Sequence, residues 1–378
     1  MIQIKNPENC CGCTACASIC NHNAITMKPD ALGFLYPRID INKCTNCGLC
    51  EKICAFNSNY DVSLNFPDPI AYGARHKDID QVMSSRSGAV FVALSDYILE
   101  QGGVVYGVGY TDHFRVVHKR AITKTARDEF RGSKYVQSDL REIFPMIKKD
   151  LKEGKTVLFS GTGCQTAGLN SYIGKHLRKN LFLVDLVCHG VPAPKLWQDY
   201  IAYLESKVGD TIIHVNFRDK VRFGWAAHHE TYVYKNCKEV VSASTNFYRQ
   251  IFFRKSCGVC HYCNTHRPSD ITIADFWGWD KQKISINEDD KGLNLVLINT
   301  PHGKNLFEQI KNQLIIVDAK RSAYLQPNLC HPTAIHPYRD MMERDYEKNG
   351  FEYIFFHDYD HPSIIERILR KFFQLKRI

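Results

Sequence analysis

Eight cysteines near the start of the chain have the spacing of iron–sulfur cluster ligands. They form two runs with the same intervals, Cys10-x2-Cys13-x2-Cys16-x3-Cys20 and Cys44-x2-Cys47-x2-Cys50-x3-Cys54. Three close thiolates can bind three irons of a cubane while a distant fourth completes it, and in two-cluster ferredoxins the fourth cysteine of each run binds the other cluster. The runs therefore predict two 4Fe-4S clusters, held by Cys10, Cys13, Cys16 and Cys54 and by Cys44, Cys47, Cys50 and Cys20.

Three residues of these runs depart from the usual ferredoxin pattern. Asn21 and Ala55 stand where a proline normally follows the fourth cysteine, and we expect ligation to survive this change. Cys11 is an additional thiol that we expect to point away from the cluster, although an adjacent thiol could exchange as a ligand under oxidation.

A second set of cysteines lies in the body of the chain. Cys164 and Cys188 occupy turns after apolar, strand-like runs, and such turns gather at one edge of a parallel sheet. Cys257, Cys260 and Cys263 follow at intervals of three. These residues predict a third 4Fe-4S cluster, for which spacing alone nominates the last three cysteines and one of the turn cysteines. A zinc site is the main alternative.

Two segments rich in serine and glycine, Ser84–Ala89 and Ser160–Gln165, each begin a predicted helix. Free backbone amides and the helix dipole favour a phosphate there, so Gly161 and Thr162 are candidate cofactor contacts. Such residues are also common as simple helix caps, and this alternative stays open.

The elements that must position these residues follow from periodicity and turn residues. A strand, a turn and a helix occur twice in succession after residue 156, which suggests parallel α/β structure. We expect strands at 104–110, 114–120, 156–160, 181–187, 211–217, 229–235, 270–275 and 293–299, and helices at 87–101, 139–153, 165–172, 194–206, 303–312 and over the last eighteen residues. The last helix is apolar on one face and basic at its end, so it should dock on the body or a partner subunit, with a membrane surface as the alternative.

Composition restricts the class of protein. The chain has 378 residues, of which 44% are hydrophobic, and no apolar run approaches the roughly 18 residues of a membrane span. Sixteen cysteines at metal-ligand spacings favour a reducing compartment, so we expect a cytoplasmic protein. Three thiolate-bound clusters would remove about six units of the formal charge of +9, and no nucleic-acid-binding pattern is present.

Five longer segments resemble a known family. They are Ser84–Ala89, Gly132–Ser138, Gly161–Gln165, Asp185–Pro192 and Ser269–Gly278. In this order they are similar to the family of coenzyme F(420) hydrogenase/dehydrogenase beta subunits, over about residues 1–300. The resemblance implies an α+β protein in which a bacterial-type ferredoxin module precedes an α/β flavin- and cluster-binding body. The expected divisions are the ferredoxin module at 1–62, the two parts of the body at 70–155 and 156–320, and a variable helical extension at 321–378.

The same resemblance implies particular ligands. The flavin region of the family, for FAD, falls on Ser85, Ser87, Gly88, Lys134, Tyr135 and Gln137. The body cysteines of the family are matched by Cys164, Cys188, Cys257 and Cys260, which leaves Cys263 as an extra thiol. Gly163 and Ala89 differ from the residues usual in the family.

The leading hypothesis is an iron–sulfur flavoprotein oxidoreductase that relays electrons from ferredoxin-type clusters to FAD and on to an organic substrate, such as a sugar or glycan intermediate of polysaccharide biosynthesis. His189 is the candidate for proton delivery, or a hydrogen-bond donor beside a cluster, and Arg218 with Asp219 could orient an anionic substrate. The alternatives are an electron-transfer subunit of a larger redox complex, a deazaflavin oxidoreductase and an iron–sulfur scaffold or redox sensor. A ferredoxin or redox subunit is the expected partner, and homo-oligomerisation is left open.

Overall fold

Thirteen strands and twelve α-helices make up the chain that the computed structural model describes, residues 2–4, 6–57, 59–243, 248–282 and 284–361. The strands are β1 Ile25–Pro29, β2 Leu35–Ile39, β3 Ile70–His76, β4 Val104–Thr111, β5 Arg115–Ala121, β6 Val157–Thr162, β7 Leu181–Leu186, β8 Ile212–Asn216, β9 His229–Tyr234, β10 Glu239–Ala243, β11 Ile271–Asp275, β12 Asn294–Ile298 and β13 Leu314–Asp318. The helices are α1 Ala15–Ser18, α2 Leu49–Lys52, α3 Ile79–Met83, α4 Val90–Glu100, α5 Lys124–Asp128, α6 Ile143–Lys152, α7 Gly163–Ile173, α8 Pro194–Val208, α9 Lys220–Phe223, α10 Pro301–Ile310, α11 Arg321–Tyr324 and α12 Arg339–Phe356.

The body is organised around an eight-stranded mixed sheet with the strand order β13-β3-β12-β11-β7-β6-β4-β5. The four strands β4, β6, β7 and β11 are parallel, which confirms the predicted parallel α/β core. The outer strands pair antiparallel, and β3 and β13 were not predicted. Helices α4 and α10 pack on one face and α6 and α7 on the other, so the central strands are buried on both faces. Residues of both 70–155 and 156–320 therefore share one sheet.

The predicted strands at 211–217 and 229–235 lie outside this sheet. They are β8 and β9, which form a separate antiparallel sheet with β10. This sheet packs with α8 and α12 around aromatic side chains that include Trp197, Tyr200 and Tyr232.

The cysteine-rich module consists of the β1–β2 hairpin with the short helices α1 and α2, and it docks on α7. Gly168 of α7 permits this contact, because a Cβ at this position would lie 2.7 Å from the Sγ of Cys13. Ser171 donates a hydrogen bond from its hydroxyl to the carbonyl of Ile53 at 2.7 Å. Both cysteine runs thereby contact the middle and the C-terminal half of α7.

The C-terminal part ends with α12, and the predicted helix over the last eighteen residues lies outside the described residues apart from His361. Among the helices described, none has both the length and the apolar character required to cross a bilayer.

A buried ion pair fixes the loop that carries the last three body cysteines. Arg267, just after this loop, is 1% exposed and contacts Asp185 of β7 through Nη2 and Oδ2 at 2.7 Å. Its other nitrogen, Nη1, donates to the carbonyl of Tyr262. Ser269 donates to the second carboxylate oxygen of Asp185 at 2.8 Å, so both oxygens of that carboxylate are used. The loop is tied to the end of β7 by charge and by hydrogen bonds.

Replacing Arg267 tests this connection. Arg267→Met leaves the carboxylate of Asp185 buried without its cation, which should lower the free energy of unfolding by about 3–5 kcal/mol. Urea unfolding of the anaerobic protein measures the effect. The control is Arg321→Met, because Arg321 forms an exposed pair with Asp68 that should contribute less than about 1 kcal/mol. Equal effects of the two substitutions would contradict the assignment.

The buried carboxyl group of Glu230 in β9 leads us to predict that the stability of the fold depends on pH. Burial raises the pKa of its carboxyl to about 8, although the hydroxyl of Tyr232 donates to it at 2.6 Å. The folded protein therefore keeps the proton where the unfolded chain, with a pKa near 4.3, has lost it. This group stabilises the fold fully below that lower value, and its stabilisation is lost as the pH rises towards 8 and beyond.

Glu230→Gln should remove this loss. We expect the variant to be more stable than the wild type by on the order of 2–4 kcal/mol at pH 8 and nearly equal to it at pH 4. Urea unfolding at both pH values measures the difference, with Glu352→Gln at an exposed position as the control. A stability difference that does not change with pH would show that Glu230 does not titrate as described.

Candidate functional site

The main cavity of the described chain, about 830 Å³, lies where the parallel strands β6, β7 and β11 end. Its volume is within the range of cofactor sites, roughly 300–1,000 Å³. The wall includes most of the residues nominated from the sequence, namely Ser85, Ser87, Lys134, Tyr135, Gln137, Gly161, Thr162, Cys164, Cys188, His189, Arg218, Cys257, Cys260 and Cys263. Gly88 and Asp219 are not part of this wall.

The cavity wall includes five of the body cysteines, the five that were nominated as cluster ligands. Cys164 is the second residue of α7, and the hydroxyl of Thr162 lies 3.2 Å from its Sγ. Cys188 follows β7, and the remaining three belong to the loop that Arg267 holds. Burial raises the pKa of the Cys257 thiol to about 12, because a thiolate there is far from water. The donor set suits a thiolate-bound cluster in which the metal supplies the missing positive charge.

The ferredoxin module separates its eight cysteines into two groups. A small cavity of about 120 Å³ is lined by Cys20, Cys44, Cys47 and Cys50. Backbone amides already point at two of these thiols, since Ile2 donates to Cys50 Sγ at 3.2 Å and Ala24 to Cys20 Sγ at 3.4 Å. The other four thiols interact around Cys16, whose neighbours are Cys10, Cys13 and Cys54. This grouping is the one that the exchange of fourth cysteines predicts.

The cysteine side chains line these cavities, but they do not converge on a single point. In the described residues, no three His, Cys, Asp or Glu side chains come close enough to hold a single metal ion.

Cys11 lies between the two halves of the molecule. It is 4% exposed, and it packs in one apolar group of side chains with Cys13 of the module and Cys164 of the body. It also forms part of the wall of the main cavity. The additional cysteine therefore connects the first cysteine group to the body cysteines.

Another part of the cavity wall is cationic and aromatic. Arg86 pairs with Asp275 at 3.2 Å, and the guanidinium groups of Arg86 and Arg218 lie 5.9 and 5.8 Å from the ring centre of Trp277. Arg218 donates to the hydroxyl of Tyr135 at 3.1 Å. Within the described chain, Nε and Nη1 of Arg86 and the hydroxyl of Ser85 are buried without a hydrogen-bond partner. These free donors fit a planar cofactor with carbonyl or anionic oxygens, as a flavin has.

Several residues nominated as flavin ligands use their side chains within the protein. Lys134 donates to the carbonyls of Glu129 and Arg131 at 2.7 and 2.8 Å, and burial lowers its pKa to about 7. The hydroxyl of Ser87 donates to the carbonyl of Leu293 at 2.7 Å. These two side chains shape the wall, while Ser85 keeps a free hydroxyl.

Glycines and amides of the nominated set also have structural roles. A Cβ on Gly88 would lie 2.3 Å from the carbonyl of Ala74, so this position needs glycine for close packing. Thr162 and Gln165 form a capping box at the start of α7, which is the capping alternative for the Ser160–Gln165 turn. Gln137 donates to the carbonyl of Cys11 at 2.8 Å and thereby holds the module.

The three nominated catalytic residues are divided by the structure. His189 lies in the wall, with Nδ1 at 3.1 Å from both Asn328 Oδ1 and Thr333 Oγ1. Arg218 is also in the wall. Asp219 instead caps α9 through the amide of Arg222 and accepts a hydrogen bond from Thr231 at 2.8 Å. A role in orienting a substrate thus finds support only at Arg218.

Four residues of the site were not singled out from the sequence. Arg86 and Trp277 lie inside the segments that carry the family resemblance, which was the available signal. Tyr248 packs against Tyr135 with ring centres 4.4 Å apart, and no sequence pattern marks it. Arg254 precedes Cys257 by three residues.

Comparison with known proteins agrees with this geometry. Residues 154–321 match the family model for the C terminus of the coenzyme F(420) hydrogenase/dehydrogenase beta subunit, and residues 9–58 match that of the 4Fe-4S dicluster domain. The chain is similar to a subunit of the F(420)H(2) dehydrogenase of Methanosarcina mazei, with 22% identity over 331 residues that cover 84% of this chain and 86% of the relative.

A solved structure is also similar, that of the F(420)-reducing NiFe hydrogenase complex from Methanosarcina barkeri. The match has a TM-score of 0.46 and 16% identity, and it covers 77% of this chain and 92% of the other. Residues 154–321 thus belong to the family defined by the C terminus of the coenzyme F(420) hydrogenase/dehydrogenase beta subunit, and in this iron–sulfur protein they are joined to an N-terminal 4Fe-4S dicluster domain.

Proposed function

We propose that the chain is an iron–sulfur electron-transfer subunit of a redox complex and that it exchanges electrons with a deazaflavin of the coenzyme F(420) type. The observation that carries this proposal is the continuous series of cysteine groups that ends in the cationic, aromatic cavity. The name of the relative supports it, because that protein is a subunit of a dehydrogenase named for this coenzyme.

The series can be followed through two apolar clusters of side chains. The first of these groups of packed side chains, within the module, contains Cys16, Cys20, Cys50 and Cys54. The next contains Cys11, Cys13, Cys54, Cys164 and Cys260. Cys54 belongs to both, so each cysteine group packs against the following one. Three 4Fe-4S clusters in these groups would form a relay from the solvent-exposed Cys47 to the cavity.

The cavity would hold FAD beside the third cluster. Tyr135, Tyr248 and Trp277 offer flat surfaces to a planar ring system, and Arg86 and Arg218 offer donors to its oxygens. A bound flavin supplies the exchange between one-electron and two-electron chemistry. His189 stands beside Cys188, with its ring fixed by Asn328, and can hold a proton at the cavity wall.

The sugar or glycan substrate is the weaker of the two hypotheses. It gains no support from the relative, whose name connects it to coenzyme F(420). A partner subunit that donates or accepts electrons is part of the favoured proposal. The cytoplasmic location, the contact of the C-terminal helix and homo-oligomerisation stay predictions.

Iron content tests two of the three cysteine groups separately. The anaerobically reconstituted wild type should contain about twelve irons per chain, four for each cluster. Cys47→Ser and Cys257→Ser should each lower this to about eight, because each removes a ligand of a different cluster. Iron and sulfide analysis with EPR spectroscopy measures the loss.

The matched controls for iron content are Cys237→Ser and Cys330→Ser, at exposed cysteines outside the three groups. They should keep the wild-type content. Eight irons in the wild type, unchanged by Cys257→Ser, would refute the third cluster.

Arg86→Gln tests the deazaflavin proposal. Loss of a charged donor to the flavin should raise the dissociation constant for FAD at least tenfold, since hydrogen bonds to charged groups contribute about 1.5–3 kcal/mol. Reduction of coenzyme F(420) with reduced viologen as the electron donor should slow as flavin is lost. Coenzyme absorbance follows the reaction. The control is Arg115→Gln, whose side chain is 54% exposed on β5. A wild type loaded with flavin and clusters that cannot reduce the coenzyme would contradict the proposal.

A further inference from the structure

Arg254 is a buried cation at the junction between the ferredoxin module and the body. Arg254 is 1% exposed. Nε donates to the carbonyl of Cys10 at 2.8 Å, Nη2 to the carbonyl of Leu35 at 2.9 Å and Nη1 to Oε1 of Gln137 at 2.9 Å. All three acceptors are uncharged, so these bonds satisfy the guanidinium without neutralising it.

No carboxylate of the described residues pairs with Arg254 within 4 Å. The contrast is Arg267, equally buried but paired with Asp185 at 2.7 Å. Asp30 is near enough to be affected by the charge of Arg254, but its Oδ1 accepts hydrogen bonds from two backbone amides of its own loop. The ring of Tyr36, with its centre 4.3 Å from the guanidinium, offers partial compensation. A buried charge without a partner is unfavourable by several kcal/mol.

Thiols of two cysteine groups surround this cation. Nε of Arg254 donates to the carbonyl of Cys10, and the carbonyl of Arg254 accepts from the amide of Cys257 at 2.9 Å. Arg254 also shares the cavity wall with Cys164. Arg254 therefore favours negative charge on both sides of the junction. A thiolate-bound 4Fe-4S cluster carries that negative charge, roughly −2 with four thiolates.

We propose that Arg254 is the shared counter-charge of the first ferredoxin cluster and the body cluster, and that it makes both easier to reduce. The part that concerns the body cluster rests on the proposed function. The cation lies between these two cysteine groups and away from the opening lined by Cys44 and Cys47. A fixed positive charge stabilises each added electron, so electrons that enter at the outer cluster are drawn towards the cavity.

The test is an EPR-monitored redox titration of the reconstituted full chain with mediator dyes, in the wild type and in Arg254→Gln. We expect the variant to lower the equilibrium constant for one-electron reduction of two clusters at least tenfold, a shift of about 59 mV towards negative potential. The cluster held by Cys20, Cys44, Cys47 and Cys50 should keep its potential. Unchanged potentials, or an equal shift of all clusters, would overturn the proposal.

Two further variants separate charge from structure. Arg254→Lys keeps the charge and loses the forked hydrogen bonds, so both potentials should stay within about threefold of the wild type in the same equilibrium constant. Gln137→Glu leaves Arg254 in place and puts a carboxylate beside Nη1, so it should also lower both potentials. It therefore tests the charge even if Arg254→Gln fails to fold. A shift with Lys as large as that with Gln would show that the hydrogen bonds matter and the charge does not.

Asp30→Asn completes the series. We expect Asp30→Asn to change the two cluster potentials less than Arg254→Gln does. If Asp30 were the true counter-ion of Arg254, its neutralisation would change the potentials as strongly and with the opposite sign. That result would refute the shared role of Arg254. The proposal can also fail independently of the third cluster. With eight irons in the wild type, Arg254→Gln should still shift the ferredoxin cluster that includes Cys10.

Discussion

Negative charge on buried sulfur is the constraint on which the rest of the structure depends. Thiols such as Cys257 lie where burial alone would keep them protonated, with a pKa of about 12, whereas cluster ligands must be thiolates. The chain surrounds its sulfurs with backbone amides, as Ala24 does for Cys20, and places one cation between two groups of them. Bound iron ions would supply the remaining positive charge that the thiolates need. The positions of turns, loops and the ferredoxin module can all be understood as ways of bringing such donors to sulfur.

The junction of module and body shows how this constraint shapes the fold. Gly168 lets Cys13 approach α7, and Gln137 and Arg254 together hold the backbone of the loop at Cys10 and Cys11. Because Cys11 forms part of the cavity wall, the ferredoxin module completes the site in the body. The module is therefore a structural part of the cavity as well as a carrier of clusters, which a simple fusion of two independent domains would not require.

The sequence predicted what short-range patterns determine. Cysteine intervals grouped the thiols of the module, and apolar runs with glycine-rich turns located β6, β7 and the helices after them. Strand β3 was missed because Pro67 and Pro69 dominate the segment before it and its residues alternate poorly. The roles of Ser87 and Gln137 depend on partners 206 and 126 residues away, which no local pattern reveals. The family resemblance pointed to these residues, but only the tertiary contacts showed that their side chains bond to backbone carbonyls around the cavity.

The hydrogen bond between Arg254 and the carbonyl of Cys10 spans 244 residues of sequence. At about 5–20 residues per second, the ribosome would release the first cysteine run roughly 12–50 s before Arg254 emerges. During that interval the nascent module has its thiols but lacks the cation, and until residues 163–173 have been made it also lacks the α7 surface that later covers it. Iron loading at this stage would expose the forming cluster to oxidants, so the timing of metal delivery relative to translation becomes a determinant of yield.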